Sequence, residues 1–327
     1  MSMQLKKIFV PMALMFAVSA HADVTGAGST FVYPALSKWA ANYQAKTKIQ
    51  VNYQAIGSGG GISQVNAKTV EFAATDKPLA AADLASGGLA QFPMIMGGIV
   101  MAENVKTNGP VVLDGAALAN IYLGKITYWD DAALKALNPK LNLPHQAITV
   151  IYRADGSGTT YNFTRYLDSV SPAFDKQIGS NTAVSWPVGI GGKGNAGVAN
   201  FVKTVPGSIG YVEYAYAQEN NLPMASMKNA AGQVVKAGMP SFNAATAGVK
   251  LMPNGVLDWS HVNDKNAWPI MAATYALVRK DLAPSDQKQV YDFFKFAFSQ
   301  SDVARQLAYV PLSSTMVTNV EQSWSKK

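Results

Sequence analysis

Three times along this chain a strand-like run ends in a turn built from Gly, Ser and Thr, and a helical run begins at once. The turns are GAGSTF at 26–31, GSGGG at 57–61 and RADGSGTT at 153–160. Strand, turn and helix in that order argue for an α/β architecture. Each turn also sets unpaired backbone N–H groups and the positive end of a helix dipole at a glycine-rich bend. One such bend is ordinary capping; three in one chain raise the hypothesis of a shared anion site.

The intervening sequence carries the same alternation from end to end. Leu36, Trp39, Ala40 and Tyr43 fall at helical spacing within 33–46. Residues 49–56 alternate as a strand, a helix is expected from Ile62, and 70–74 is a second strand. Asp114 is the expected N-cap of a helix ending at Gly124, and Asp130 or Asp131 caps another that stops at Asn138-Pro139. A strand over 147–152 leads into a helix from Thr159. Near the C-terminus, Ser285 is the expected cap of a helix bearing Val290, Phe293, Phe294 and Ala297.

With 327 residues the chain is long enough for two domains with ordinary cores. Charged residues are only 14% and hydrophobic ones 49%, a globular rather than a disordered balance. Lys6 and Lys7, the apolar run Ile8–Ala20 and Ala20-His21-Ala22 together fit a cleavable export signal, so the mature chain is expected to start at Asp23. A membrane anchor is the alternative, but the apolar run is shorter than the roughly 20 residues of a spanning helix. There is no cysteine, hence no disulfide and no lipid attached at the cleavage site. A soluble periplasmic protein is the expectation. The net charge of +7 falls to +5 once Lys6 and Lys7 are removed, and the lysines are scattered. That is a generally basic surface with mild attraction for small anions; no nucleic-acid partner is expected.

Sharper chemistries fail on their residues. GIGGKG at 189–194 has Gly194 where a nucleotide P-loop needs Ser or Thr. It does fit G-x-G-x-x-G through Gly189, Gly191 and Gly194, with Glu213 in place for a ribose, but a plain glycine turn is the better account. Ser157 is preceded two residues earlier by Asp155 and Ser58 by Ile56, so neither is a nucleophile elbow. His145 and His261 stand in no recognisable pairing with a carboxylate, and no metal-ligand spacing is present; neither metal nor cofactor is expected.

Binding without chemistry remains. A tetrahedral oxyanion needs donors, a fixed cation and a dry cleft. Arg153 offers a two-pronged cation, and Thr30, Ser58, Ser157 and Thr159 offer hydroxyls. Backbone N–H groups near Phe31, Gly158 and Thr159 complete the set. Each residue alone reads first as a cap or turn residue. Asp155, two residues from Arg153, is placed to hold the guanidinium. Asp76 is the exception among donors, and a turn residue is its local alternative. Facing an anion, it repels all but a protonated one. Phosphate near neutral pH keeps a proton and sulfate does not, and a buried acceptor left unpaired discriminates by roughly 10⁴–10⁵.

GAGSTF, IGSGGGISQV, VEFAATDKPL, YLGKITYWDD, RADGSGTT, PVGIGGKGN and IGYVEYAYA, in this order, resemble the periplasmic phosphate-binding proteins of Pst ABC transporters. The resemblance runs through nearly the whole chain after residue 22. It implies a type II periplasmic-binding fold, two α/β lobes joined by two strand crossings, with dehydrated phosphate clamped in the cleft between them. It implies phosphate contacts from Thr30, Phe31, Ser58, Asp76, Arg153, Ser157, Gly158 and Thr159, with Asp155 supporting Arg153, and demotes GIGGKG to a structural turn. Val32-Tyr33 and Gly59 depart from common family residues without removing a donor. The expected lobes are 23–95 with 268–327, and 96–267. Expected partners are inorganic phosphate and a Pst-type permease at the inner membrane, with the receptor a monomer. A secreted phosphatase, or a receptor for another oxyanion or a phosphonate, is the alternative.

Overall fold

The computed structural model describes residues 23–260, 262 and 264–325; the expected export segment 1–22 and His261 lie outside them. Eight strands form one mixed sheet, in the order Val51–Ala55, Val24–Gly28, Phe72–Thr75, Met271–Arg279, Leu89–Glu103, Ser208–Glu213, Thr149–Arg153 and Ile190–Gly192. The first three run parallel, as do the last three. Between them, two long antiparallel strands carry the chain from one lobe to the other and back. Leu89–Glu103 belongs to both halves. Its residues through Gly98 pair with Met271–Arg279, and Ile99–Glu103 pair with Ser208–Glu213. No helix among the described residues is long and apolar enough to cross a membrane.

The two crossing strands are irregular where they meet. Thr274 pairs with Ile95 and Tyr275 with Pro93, which leaves Met94 as the extra residue of a bulge. Proline lacks the N–H that a central ladder needs, and a bulge is where a sheet tolerates it. The bulge lies beside Thr274, a fully buried hydroxyl that belongs to the site described below.

Each lobe packs its sheet with aromatics. On one side Phe72 and Phe92 both meet Phe294 edge-on with centroids 5.2 Å apart. Phe293 and Phe294 come from the C-terminal helix Pro284–Ser299, whose apolar face is the one the spacing predicts. Its start differs: Ala283 occupies the cap position and Pro284 the first turn, while Ser285 bonds Asp286 instead of capping. Proline's fixed φ suits a first helical turn, where its missing N–H costs nothing. On the other side Tyr122, Phe163, Trp186 and Tyr211 cluster, with Phe163 stacked on Tyr211 at 4.3 Å. Leu36, Trp39 and Tyr43 of helix Tyr33–Thr47 are buried as expected. Asp114 and Asp131 cap their helices through Ala117 N and Ala133 N.

Candidate functional site

All three glycine-rich turns converge at the seam between the lobes. From one lobe come the turn after Val24–Gly28 and helix Ser58–Asn66; from the other comes helix Gly158–Val170, capped by Ser157 Oγ, which accepts from Thr160 N at 3.0 Å. The second helix begins at Ser58 rather than at Ile62, so three consecutive glycines lie in its first turns. The reason is contact, not propensity. A Cβ on Gly59 would stand 3.2 Å from Gly156 Cα of the opposite lobe, and Gly59 N donates to Gly156 O at 2.9 Å.

Two charged groups face this seam from opposite sides. Arg153, ending strand Thr149–Arg153, is only 5% exposed. Its Nε donates to Asp155 Oδ1 at 2.9 Å and its Nη2 to Asp155 Oδ2. Tyr211 Oη accepts from Arg153 N at 3.1 Å and shares a hydrogen bond with Thr160 Oγ1, which ties the cation to the aromatic cluster. Burial pulls the Asp155 carboxyl upward, but the hydrogen bonds and charge of Arg153 outweigh it and hold the group below the usual carboxylate range. Gly194 N donates to the same Oδ1 at 2.9 Å.

Asp76 follows strand Phe72–Thr75 and is 2% exposed. Its Oδ1 accepts from Ser29 Oγ at 2.6 Å and from Thr274 Oγ1 at 2.7 Å. Burial raises its pKa to about 6, with the Ser29 and Thr274 hydroxyls and the charge of Arg153 pulling the other way. Ser58 Oγ accepts from Asp76 N at 3.2 Å and, across the seam, from Gly158 N at 3.1 Å. Thr30 Oγ1 accepts from both the backbone and the side-chain nitrogen of Asn195, at 3.2 and 2.9 Å. The site is thus many donors, one clamped cation and one carboxylate, walled by two lobes. That set suits a small protonated oxyanion.

A model of the PBP superfamily domain matches residues 17–301. The phosphate-binding protein PstS of Haemophilus influenzae is 44% identical over 327 residues, covering 98% of this chain and 98% of its own. Its counterpart in Pasteurella multocida is 45% identical over 317 residues, covering 94% of this chain and 92% of its own.

The chain belongs to the phosphate-binding protein PstS family.

Solved structures share the fold at lower identity. A high-affinity periplasmic phosphate-binding protein bound with phosphate (PfluDING) superposes with a TM-score of 0.73 at 21% identity, covering 92% of this chain and 94% of its own. A phosphate ABC transporter substrate-binding protein with bound phosphate from Clostridium perfringens gives 0.66 at 18%, covering 89% and 100%.

In this PstS-family chain every residue singled out from sequence is at the seam and buried: Thr30, Phe31, Ser58, Asp76, Arg153, Ser157, Gly158 and Thr159, with Asp155 half-buried against Arg153. Two of their amides already have partners within the protein: Phe31 N donates to Ser29 Oγ at 3.0 Å, and Gly158 N donates across the seam to Ser58 Oγ. Three participants escaped the sequence reading. Ser29 stood inside a quoted turn but was passed over for its neighbour. Thr274 sits on a strand with no motif. Asn195 follows the glycine turn at 189–194, which is no mere structural bend: it delivers Gly194 to Asp155 and Asn195 to Thr30. Glu213, fully buried, caps Ala215 N at 2.9 Å and has its pKa raised well above normal by burial. His145 is exposed and, contrary to the sequence reading, does pair with a carboxylate, Asp130, at 3.0 Å. Among the described residues no three His, Cys, Asp or Glu side chains gather as a metal cluster would.

Proposed function

We propose that this chain is a high-affinity periplasmic receptor for inorganic phosphate, a monomer that hands its ligand to a Pst-type ABC permease and catalyses no reaction. The observation that carries the reading is Asp76: one buried carboxylate, with Oδ1 occupied by two hydroxyls of its own lobe, set against Arg153 and a ring of donors. A ligand with one proton satisfies that set; sulfate leaves the carboxylate unpaired and repelled. Phosphate contacts are assigned to Thr30, Phe31, Ser58, Asp76, Arg153, Ser157, Gly158 and Thr159, with Asp155 clamping Arg153. The lobes are drawn at 23–95 with 268–327, and at 96–267. The ligand stabilises the closed arrangement because only there do both lobes touch it. Relatives named as phosphate-binding PstS proteins over nearly the whole chain support this reading.

Calorimetric titration of the purified protein with phosphate, and with sulfate in competition, tests it. Tight phosphate binding unaffected by excess sulfate is expected; equal affinity for the two anions overturns the role of Asp76. Incubation with a phosphomonoester is expected to release no phosphate, and turnover that copurifies with the protein would replace the receptor by an enzyme.

A further inference from the structure

Asn195 is completely buried in the first turn of helix Gly194–Thr204 and makes four hydrogen bonds. Its Oδ1 accepts from Glu213 N at 3.0 Å. A backbone N–H can only donate, so the carboxamide orientation is settled: the oxygen faces Glu213 and the NH₂ faces the site. The NH₂ donates to Thr30 Oγ1 at 2.9 Å and to Thr159 Oγ1 at 3.3 Å, and the Asn195 backbone N–H donates to Thr30 Oγ1 at 3.2 Å. Thr159 Oγ1 accepts a second bond from Arg153 Nη1 at 3.3 Å.

A hydroxyl has one proton and two lone pairs. On Thr30 both acceptor places are taken by Asn195; on Thr159 they are taken by Asn195 and Arg153. Each hydroxyl is left with one capacity, to donate. Ser58 reaches the same state through two backbone amides, Asp76 N and Gly158 N. We infer that Asn195 is a positioning residue that sets the polarity of the site: it turns Thr30 and Thr159 from groups able to give or take a proton into obligate donors. This rests on the reading of the seam as the phosphate site. Asp76 is then the acceptor in a shell of donors, and the ligand proton has one place to go. Without the Asn195 side chain each hydroxyl keeps one donor, the Asn195 backbone N–H at Thr30 and Arg153 Nη1 at Thr159, and regains one open lone pair that it can present to an anion that repels it.

A double-mutant cycle with phosphate affinity as the readout separates this role from a merely structural one. Thr159 and Asn195 lie in the same lobe, so their coupling does not report the link between lobes. Asn195→Ala is expected to weaken phosphate binding roughly 10- to 100-fold in the wild-type background, the loss of well-oriented bonds to a charged ligand. In the Thr159→Val background the same change should cost several-fold less, because the hydroxyl it orients is gone. Equal costs in both backgrounds overturn the proposal. If Asn195→Ala does not fold, Asn195→Ser, which keeps a polar group near Glu213 N but is too short to reach Thr159, replaces it in the same cycle with the same two outcomes. Wild-type protein that binds no phosphate would sink the phosphate reading itself, an outcome distinguishable from additivity in a cycle that binds.

Discussion

At the scale of single residues, the site is governed by what burial does to a carboxylate. Asp76 loses water on every side, and its pKa climbs to about 6 although two hydroxyls and Arg153 favour the ion. Asp76→Asn replaces an acceptor by a group that can also donate. Phosphate affinity should fall, and rejection of sulfate should collapse to within roughly tenfold, measured by competition calorimetry. The same carboxyl has a pH signature in protein without added anion. Between 3.8, the ordinary aspartate value, and about 6, folded Asp76 keeps a proton that the unfolded chain has released. Its contribution to stability is therefore full below that window and lost as pH rises through it, on the order of 3 kcal/mol in all. Glu103 shows the same sign away from the seam. Buried at the end of its crossing strand, with one oxygen accepting from Val111 N and the other unpartnered, it is pushed up to about 8. Glu103→Gln should grow progressively more stable than wild type as pH rises from 4.5 to about 8, with no further gain above, and should leave phosphate affinity unchanged. Urea unfolding at a series of pH values measures both.

At the scale of elements, closeness rather than propensity decides where the helices begin. Helix Ser58–Asn66 takes glycines that propensity alone would assign to a loop, because a side chain would meet Gly156 of the opposite lobe at Gly59, and Ile56 or the Ala27–Gly28 backbone of its own lobe at Gly60 and Gly61. Gly158 is the sharper case. A Cβ on it would stand 2.5 Å from Asp76 Cβ and 2.6 Å from Ser58 Oγ, both from the opposite lobe. Alanine is a better helix former than glycine, so Gly158→Ala should leave the thermal midpoint without phosphate unchanged or slightly higher. It should nonetheless cost phosphate binding on the order of 100-fold, since the lobes no longer close fully. A variant that binds normally would show that the seam relaxes around the methyl. The strand bulge at Met94 belongs to this scale as well: it lets Pro93 lie in the ladder beside Thr274, one of the two hydroxyls that hold Asp76.

At the scale of the molecule, the lobes stand closed. Asn162 Nδ2 donates to Asp76 O at 2.7 Å, Tyr216 Oη to Thr30 O at 2.7 Å, and Asn195 reaches Thr30. At the rim, Lys77 Nζ lies 5.2 Å from the centroid of the Tyr161 ring and donates to Asn181 Oδ1 at 3.2 Å. A cation–π contact at a partly exposed site contributes about 0.5–1 kcal/mol. Tyr161→Ala should therefore speed phosphate release by roughly two- to fivefold in stopped-flow experiments, with little effect on the association rate. Small-angle scattering should show the wild-type protein contracting on addition of phosphate and not of sulfate; no contraction would mean that the lobes do not close on the ligand.

The linear chain was enough to specify the α/β alternation, the buried faces of helices such as Tyr33–Thr47, the three glycine-rich turns and the Arg153–Asp155 clamp. All of these rest on contacts within a few residues: helical spacing, capping, and a cation next to its acid. Only the folded molecule decided that Ser29 and Thr274, 245 positions apart in the numbering, hold one oxygen of Asp76, and that Asn195 orients Thr30 and Thr159. Ser, Thr and Asn occur throughout the chain as ordinary turn and cap residues; Ser29 and Asn195 border glycine-rich turns and Thr274 lies in a strand without a motif, and nothing local assigns any of the three its partner. Their roles arise because burial removes water as the alternative partner. Every donor and acceptor at the seam must then find its match across the sheet, and the match is set by tertiary position.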